Sequence, residues 1–194
     1  FMAETAAILC PEKTVLLPVK EAGCPLADMA TPEQLRRARE EHPGAAVVSY
    51  VNTSAAVKAE SDICCTSSNA VQVVNSLENQ EIIFVPDRNL GRHVARNSDK
   101  HIILWEGWCP THTALSGVDV LECRQKHPGA FLMAHPECLP EVLDSADEIA
   151  STAGMLAYAK KSEAGQFIVG TEVGLIHRLK KENPGKKFYS PTAY

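Results

Sequence analysis

Cys24 and Cys109 are the residues whose positions most directly suggest chemistry. They stand 85 positions apart, and each follows a short apolar segment with the pattern of a β-strand. Thiolates bind soft metals, and three of them suit an iron–sulfur cluster in which one iron lacks a protein ligand. Such an iron can act as a Lewis acid. The alternative is that both residues are ordinary thiols of surface loops.

The full set of seven cysteines favours a reducing compartment over a disulfide framework. Their number is odd, and a chain of 194 residues with 45% apolar side chains can bury a core without cross-links. We therefore expect a cytoplasmic protein. Four further cysteines are expected to pack as small buried side chains, namely Cys64, Cys65, Cys123 and Cys138.

His135 and Glu137 form a second candidate group. They are two positions apart at the end of an apolar run, so both side chains can face the same side. A histidine beside a carboxylate is suited to general acid–base catalysis. The alternative is that His135, Pro136 and Glu137 are plain turn residues.

Hydroxyl and amide side chains follow other strand-like segments. Tyr50 and Asn52 follow one of them, and Ser67 and Thr152 are predicted to cap the helices that come next. Backbone N–H groups at a helix N-terminus bind anions, so these residues could hold carboxylates or a phosphate. Ser67 and Thr152 could equally be caps alone, and Tyr50 could be an ordinary strand aromatic.

An internal repeat indicates which elements position these residues. Lys-His-Pro-Gly-Ala at 126–130 matches Glu-His-Pro-Gly-Ala at 41–45, and the same offset aligns strands, caps and acidic positions. Strands that alternate with helices predict parallel sheets with helices on both faces. The expected fold is α/β, with tandem three-layer αβα modules around a pseudo-threefold axis. The predicted divisions are a remnant of a first module at 1–26, a second module at 27–110 and a third at 111–194.

Local signals predict the individual elements. In the second module we expect helices at 32–41, 69–77 and 89–96 and strands at 45–50, 82–85 and 102–105, with a short strand near Cys64. His-Pro-Gly is expected to end the first helix of each module. In the remnant, 2–9 is predicted to be a helix and 14–17 a strand. Adding the repeat offset of 85 residues to Cys109 predicts a third cysteine at or just after residue 194.

Composition argues against several classes of function. A net charge of −5 speaks against a nucleic-acid-binding surface, and no apolar run is long enough for a membrane span. The opening Phe1-Met2-Ala3 is neither a signal peptide nor a natural initiator, so we expect a piece of a larger protein.

Several motifs, taken together and in this order, resemble the quinolinate synthase family over the whole chain. The motifs are Phe1-Met2-Ala3-Glu4-Thr5-Ala6, Tyr50-Val51-Asn52, Thr66-Ser67-Ser68-Asn69-Ala70, Pro86-Asp87-Arg88-Asn89-Leu90, His135-Pro136-Glu137-Cys138 and Ala150-Ser151-Thr152-Ala153-Gly154-Met155. The resemblance implies a three-module enzyme of NAD biosynthesis that condenses iminoaspartate with dihydroxyacetone phosphate to quinolinate. It also implies a 4Fe–4S cluster held by one cysteine from each module.

The resemblance assigns roles to residues of this chain. Cys24 and Cys109 match the first two cluster ligands, and Glu137 matches the acid–base group, with His135 and Tyr50 as its catalytic partners. The residues that match the substrate-binding positions are Tyr50, Val51, Asn52, Ser67, His112, His135, Pro136, Glu137 and Thr152. The family's N-terminal half-module and third cysteine have no match here. We therefore expect the 194-residue chain alone to be inactive and to lose its cluster readily.

Two other classes of function stay open from the residues alone. One is a non-catalytic α/β module that binds an anionic metabolite. The other is a zinc-dependent dehydratase-like or aldolase-like enzyme with Cys24, Cys109 and His112 on the metal. The expected assembly is a monomer or a weak homodimer, with no nucleic-acid or membrane partner.

Overall fold

The computed structural model describes residues 1–192, which divide into two compact units. The first unit runs from Phe1 to Trp108 and the second begins at Cys109. Each unit contains one four-stranded, fully parallel sheet flanked by helices. The α/β class with parallel sheets is therefore confirmed.

The first unit has the strand order β2-β1-β3-β4. A short 3₁₀ helix at Ala27–Met29 precedes its second α-helix. Its elements are α1 (Met2–Leu9), α2 (Pro32–Glu41), β1 (Ala46–Tyr50), α3 (Ala55–Ala59), β2 (Ile63–Cys65), α4 (Ala70–Ser76), β3 (Glu81–Val85), α5 (Arg88–Arg96) and β4 (His101–Leu104).

The second unit repeats this arrangement with the strand order β6-β5-β7-β8. Its elements are α6 (Pro110–Thr113), α7 (Gly117–Lys126), β5 (Phe131–Ala134), α8 (Pro140–Asp144), β6 (Glu148–Ile149), α9 (Thr152–Lys161), β7 (Gln166–Gly170), α10 (Gly174–Glu182) and β8 (Lys187–Tyr189). Helices α2 and α7 coincide residue for residue at the offset of 85, as do strands β3 and β7.

The repeat extends to side-chain contacts that fix the strands. The Asp62 carboxylate accepts a 2.7 Å hydrogen bond from the Val47 N–H and pairs with Arg39 at 2.8 Å. In the second unit Asp147 accepts a 2.7 Å bond from the N–H of Leu132 and pairs with Arg124 at 2.8 Å. A carboxylate that bonds a strand N–H and an arginine fixes the register of the central strand against its neighbour.

The second unit is a three-layer sandwich because its strand side chains alternate between two cores. Leu132 and Ile168 pack with buried residues of α7 and α8 on one face of the sheet. Met133, Phe167 and Val169 pack with those of α9 and α10 on the other. Both faces of the inner strands are apolar, as expected for a parallel sheet that is covered on both sides.

Most predicted elements of the first unit lie within a residue or two of the observed ones. The helix predicted at 32–41 is α2, and His42 and His127 are the C-cap residues of α2 and α7. Gly129, which follows the second His-Pro, has a φ of 77°, which glycine adopts readily. The predicted helix-stop function of His-Pro-Gly is confirmed.

The strand predicted at 14–17 is wrong. This segment is irregular and pairs with no strand among residues 1–192, and Leu16 is 84% exposed. An apolar run becomes a strand only where a neighbouring strand supplies hydrogen-bond partners and a core covers its side chains.

The predicted hydroxyl caps are also wrong. The N-cap of α4 is Asn69, and the N-cap of α9 is Ser151, whose hydroxyl accepts a 3.1 Å hydrogen bond from the Gly154 N–H. Ser67 lies in the turn before α4, and Thr152 is the first residue of α9. In a run of polar residues the geometry of the preceding turn selects the cap, and the sequence pattern does not encode it.

Three of the four cysteines predicted to be buried are buried, and Cys64 is exposed. Cys64 and Cys65 are consecutive in β2, so their side chains must point to opposite faces. The third cysteine predicted at or just after residue 194 lies outside the described residues. Within residues 1–192, no helix is long and apolar enough to cross a bilayer.

Candidate active site at the end of the second sheet

A buried group of two histidines and one glutamate lies at the carboxyl end of β5. His135 and Glu137 directly follow this central strand, where the loops of parallel α/β units carry functional groups. The Oε2 atom of Glu137 lies 3.2 Å from the Nδ1 atom of His135. The structure therefore brings the predicted pair together.

The backbone that carries this pair is tightly held. The carbonyl of Gly170, the last residue of β7, accepts the His135 N–H at 2.9 Å and the Cys138 Sγ–H at 3.3 Å. A Cβ atom at Gly170 would lie 3.2 Å from the carbonyl oxygen of Met133. The absence of a side chain at Gly170 thus permits the close approach of β5 and β7 beneath the site.

His112 joins the group from the short helix α6. Its Nδ1 atom lies 3.2 Å from Oε2 of Glu137, and its ring stacks on that of His135 with 4.4 Å between the centroids. The Nε2 atom of His112 is hydrogen-bonded to the hydroxyl of Thr171 at 2.9 Å. The carboxylate of Glu137 therefore lies between two imidazoles. The imidazole of His112 is also held by Thr171 through its other nitrogen.

Burial and neighbouring charges set the protonation states of the three side chains. Their exposed fractions are 9%, 4% and 3% for His112, His135 and Glu137. Burial opposes the cation of His112, but hydrogen bonds to Cys109 and Glu137 outweigh it and raise its pKa to about 9. Burial lowers the pKa of His135, and the nearby charge of His112 adds to this effect.

The pKa of Glu137 moves in the direction opposite to the effect of burial. Desolvation alone would raise it, but hydrogen bonds and charge interactions with both histidines lower it to about 2. At neutral pH the group thus contains an ionised Glu137, a protonated His112 and a neutral His135. Of these three side chains, His112 is the one that carries a proton it can donate at neutral pH.

Cys109 is adjacent to this group. It is half-buried and is the N-cap residue of α6, with Pro110 at the first helical position. One ligand atom from each of Cys109, His112 and Glu137 lies within 4.8 Å of the other two. Thiolate, imidazole and carboxylate are all metal ligands, so this donor set fits a metal centre.

The predicted substrate-binding residues of the first unit lie at the corresponding end of its sheet. Tyr50 pairs in register with Cys65, so the loops after β1 and β2 start side by side. Asn52 and Ser67 are half-buried in those loops. Val51 donates its N–H to the carbonyl of Cys65 at 2.9 Å, so its own backbone helps to order the edge.

Cys24 lies beside the same loop region of the first unit. It is half-buried and lines a cavity of about 350 Å³ together with Ala27 and Ser54. Ser54 is the N-cap of α3, the helix that follows the Tyr50–Asn52 loop. The Cys24 thiol is therefore accessible to a group bound in this cavity.

Thr152 and Pro136 complete the predicted set in the second unit. Pro136 lies between the two members of the His135–Glu137 pair, and Thr152 is exposed at the start of α9. The N–H of Ala150, just before that helix, donates to the carbonyl of Ala134 at the end of β5. The start of α9 therefore lies beside the strand that carries the pair.

Thr171 is the residue that the sequence analysis missed. It directly follows β7, the strand paired with β5, and orients His112 through its hydroxyl. The position of Thr171 directly after β7 is a sequence feature that could predict a site residue, because polar residues just after inner parallel strands gather at one edge of a sheet. No local pattern links the threonine to His112, because the two residues are 59 positions apart in the chain.

The fold and this group of side chains define an α/β protein with a buried carboxylate between two imidazoles, a group that includes potential metal ligands. Comparison with known proteins gives the particular family. A profile of the family "Quinolinate synthetase A protein" matches residues 1–194. The chain belongs to this family.

Curated relatives agree with this assignment. A "Quinolinate synthase" of Methanosarcina barkeri is 62% identical over 97% of this chain, and one of Methanoregula boonei is 58% identical over 97%. "Quinolinate synthase 1" of Methanosarcina acetivorans is 60% identical over 97%. The chain spans about 62% of the length of these relatives.

Proposed function

We propose that the protein containing this chain is a quinolinate synthase, which condenses iminoaspartate with dihydroxyacetone phosphate and releases phosphate and water. The observation that carries the proposal is the buried His112–Glu137–His135 group at the carboxyl end of a parallel sheet, in a chain about 60% identical to proteins of that name. A non-catalytic binding module would have no need for a buried carboxylate enclosed by two imidazoles.

The proposed reaction requires protons to move between carbon and oxygen as the ring forms. Glu137 is the proposed acid–base group, with His135 and Tyr50 as its catalytic partners. In the resting group its pKa of about 2 makes Glu137 a weak base. Its basicity rises when a substrate group displaces one imidazole from the carboxylate, because that imidazole no longer stabilises the anion. His112, with its pKa of about 9, is the corresponding proton donor.

Substrate binding is proposed to rely on local donors, since both substrates are anions and the chain carries a net charge of −5. The proposed contacts come from the hydroxyls of Tyr50, Ser67 and Thr152 and the amide of Asn52. We propose that Val51, Pro136, His112, His135 and Glu137 contact the substrates as well.

We propose a 4Fe–4S cluster as the cofactor, with Cys24, Cys109 and a third cysteine beyond this chain as its ligands. The half-buried thiol of Cys109 beside His112 and the cavity-lining thiol of Cys24 support this choice. When bound, the cluster would supply a Lewis-acidic iron for the departing hydroxyl. The three modules are proposed to surround a pseudo-threefold axis, in a cytoplasmic monomer or weak homodimer.

Replacing Glu137 by glutamine in the full-length natural protein tests the catalytic proposal. Glu137→Gln keeps the shape of the side chain but cannot take up a proton, so quinolinate formation should fall by about 10²-fold or more. Iron and sulfide content should be unchanged. Glu163→Gln, at an exposed position of the same unit, is the control and should keep its rate. An unchanged rate in Glu137→Gln would remove this residue from the mechanism.

Metal analysis of the same protein separates the cofactor alternatives. Iron together with inorganic sulfide supports the cluster, zinc alone in an active protein would favour a zinc enzyme, and a metal-free active protein would contradict both.

A further inference from the structure

We propose that Cys109, His112 and Glu137 form a site for one divalent ion of the zinc type, which is filled when the protein lacks its cluster. The three residues present a thiol, an imidazole and a carboxylate, and these are the three ligand types that proteins use for zinc. One donor atom from each lies within 4.8 Å of the other two. All three residues belong to the second unit, and their ability to bind an ion does not depend on which reaction the protein catalyses.

The position of His112 provides the strongest support. Its side chain is 9% exposed, and its buried Nδ1 atom faces Oε2 of Glu137 at 3.2 Å. In a tetrahedral site with metal–ligand bonds of about 2.0 Å, neighbouring nitrogen and oxygen ligands stand roughly 3.3 Å apart. The two atoms therefore already have the spacing of an edge of such a site.

Thr171 supplies the outer-shell contact that a ligating histidine normally has. A metal-bound imidazole usually donates its other N–H to a nearby oxygen, which fixes both the tautomer and the orientation of the ring. The hydroxyl of Thr171 lies 2.9 Å from Nε2 of His112. This contact leaves Nδ1 as the ligand atom and directs it towards Glu137.

His135 has a different part in the site. Its Nδ1 atom accepts a hydrogen bond from the backbone N–H of Glu137 at 3.3 Å, and its ring stacks on that of His112. His135 thus helps to fix the positions of the proposed ligands Glu137 and His112. Three protein ligands leave one coordination position for water, as in many zinc sites. Because Cys109 is also a proposed cluster ligand, a bound zinc ion would block cluster assembly.

Cobalt(II) is a suitable probe, because it replaces zinc and its colour reports tetrahedral geometry and thiolate ligation. The test uses the full-length natural protein carrying Cys24→Ala, freed of iron under anaerobic conditions. We expect one Co²⁺ per chain, with a sulfur-to-cobalt charge-transfer band, and complete displacement by Zn²⁺. Failure to observe that band would overturn the proposal.

Variants of two proposed ligands and of Thr171 locate the ion. His112→Asn and Glu137→Gln should each weaken Co²⁺ binding at least about 10-fold, and Thr171→Val should weaken it about 10–100-fold, with recovery in Thr171→Ser. His177→Asn, at an exposed position of α10, is the control and should bind as the parent does. Undiminished binding by His112→Asn and Glu137→Gln would overturn the proposal.

Two controls separate a loss of Co²⁺ binding from a loss of fold, and the ion site from the cluster. Circular dichroism checks the fold of each variant, and if His112→Asn does not fold, the Thr171→Val and Thr171→Ser pair decides: equal affinities overturn the site. Because the Cys24→Ala parent lacks a proposed cluster ligand, the cobalt result stands whether or not the wild-type protein assembles a cluster.

Discussion

At the scale of single residues, the site is governed by where one proton resides. Glu137 and His112 shift each other in opposite directions, and the pair is ionised across the neutral range. The neutral state of His135 follows from its burial and from the positive charge of its stacked neighbour. The two imidazoles therefore differ in charge: hydrogen bonds to Cys109 and Glu137 raise the pKa of His112, whereas burial and the charge of His112 lower the pKa of His135.

This difference predicts a pH dependence of stability in the metal-free protein. The pKa of His112 is raised from 6.5 to about 9, so its contribution is fully present below pH 6.5 and is lost as the pH rises towards 9. Between pH 6.5 and 8.5 the free energy of unfolding should fall by on the order of 1–2 kcal/mol more in the wild type than in His112→Gln. Urea-induced unfolding at the two pH values measures this.

Other groups contribute little in that window. The lowered pKa of Glu137 affects stability only below pH 4.5, and the raised thiol pKa values of Cys64, Cys65 and Cys123 act chiefly above pH 9. Equal slopes for the wild type and His112→Gln would show that His112 is not stabilised as a cation.

At the scale of elements, strand ends and helix starts position the site. The centre of the group follows β5, the anchor Thr171 follows β7, and Thr152 begins α9. The loops are held by backbone hydrogen bonds, such as that from the His135 N–H to the carbonyl of Gly170. The strand ends and the start of α9 therefore define where these side chains lie.

The capping of α9 can be tested with two neighbouring substitutions. Ser151→Ala removes the hydroxyl that accepts the N–H of Gly154, so it should lower the free energy of unfolding by about 1 kcal/mol. Thr152→Ala removes an exposed side chain from the first helical position and should change stability by less than about 0.5 kcal/mol. Chemical denaturation measures both.

The two variants should also differ in function. If Thr152 contacts substrate as proposed, Thr152→Ala should raise KM in the full-length protein, although its stability is unchanged. A greater loss of stability in Thr152→Ala than in Ser151→Ala would contradict the observed cap.

At the scale of the whole molecule, the chain contains two copies of one unit. The paired Asp62–Arg39 and Asp147–Arg124 contacts show that the copies share both backbone and stabilising interactions. The relatives are longer, since this chain spans about 62% of their length. The boundaries predicted at 26 and 110 and the pseudo-threefold axis stay predictions.

The cluster proposal makes a prediction for the 194-residue chain. It contains Cys24 and Cys109, and the position 85 residues beyond Cys109 is Tyr194. Two thiolates should hold a cluster poorly, so after anaerobic reconstitution and desalting we expect little retained iron and sulfide and no quinolinate. The full-length natural protein treated in parallel should retain both. A stable iron–sulfur absorbance in the shorter chain would contradict this prediction.

Local patterns and the repeat were sufficient to predict the α/β class, most helices and strands and the pairing of His135 with Glu137. These features depend on short-range periodicity and on the offset between similar segments, which are present in the linear chain. The predicted strand at 14–17 is absent because a strand exists only with a partner. The caps of α4 and α9 differ from the predicted ones because turn geometry decides which of several adjacent polar residues begins the helix.

Only the folded structure revealed the contacts among Thr171, His112 and Glu137, and with them the charge of each imidazole. These residues come from α6 and from the ends of two strands, and no local pattern links them. Protonation and metal affinity depend on distances of about 3 Å between groups far apart in the chain. Such distances are set by the packing of whole elements, so they could be read only from the tertiary structure.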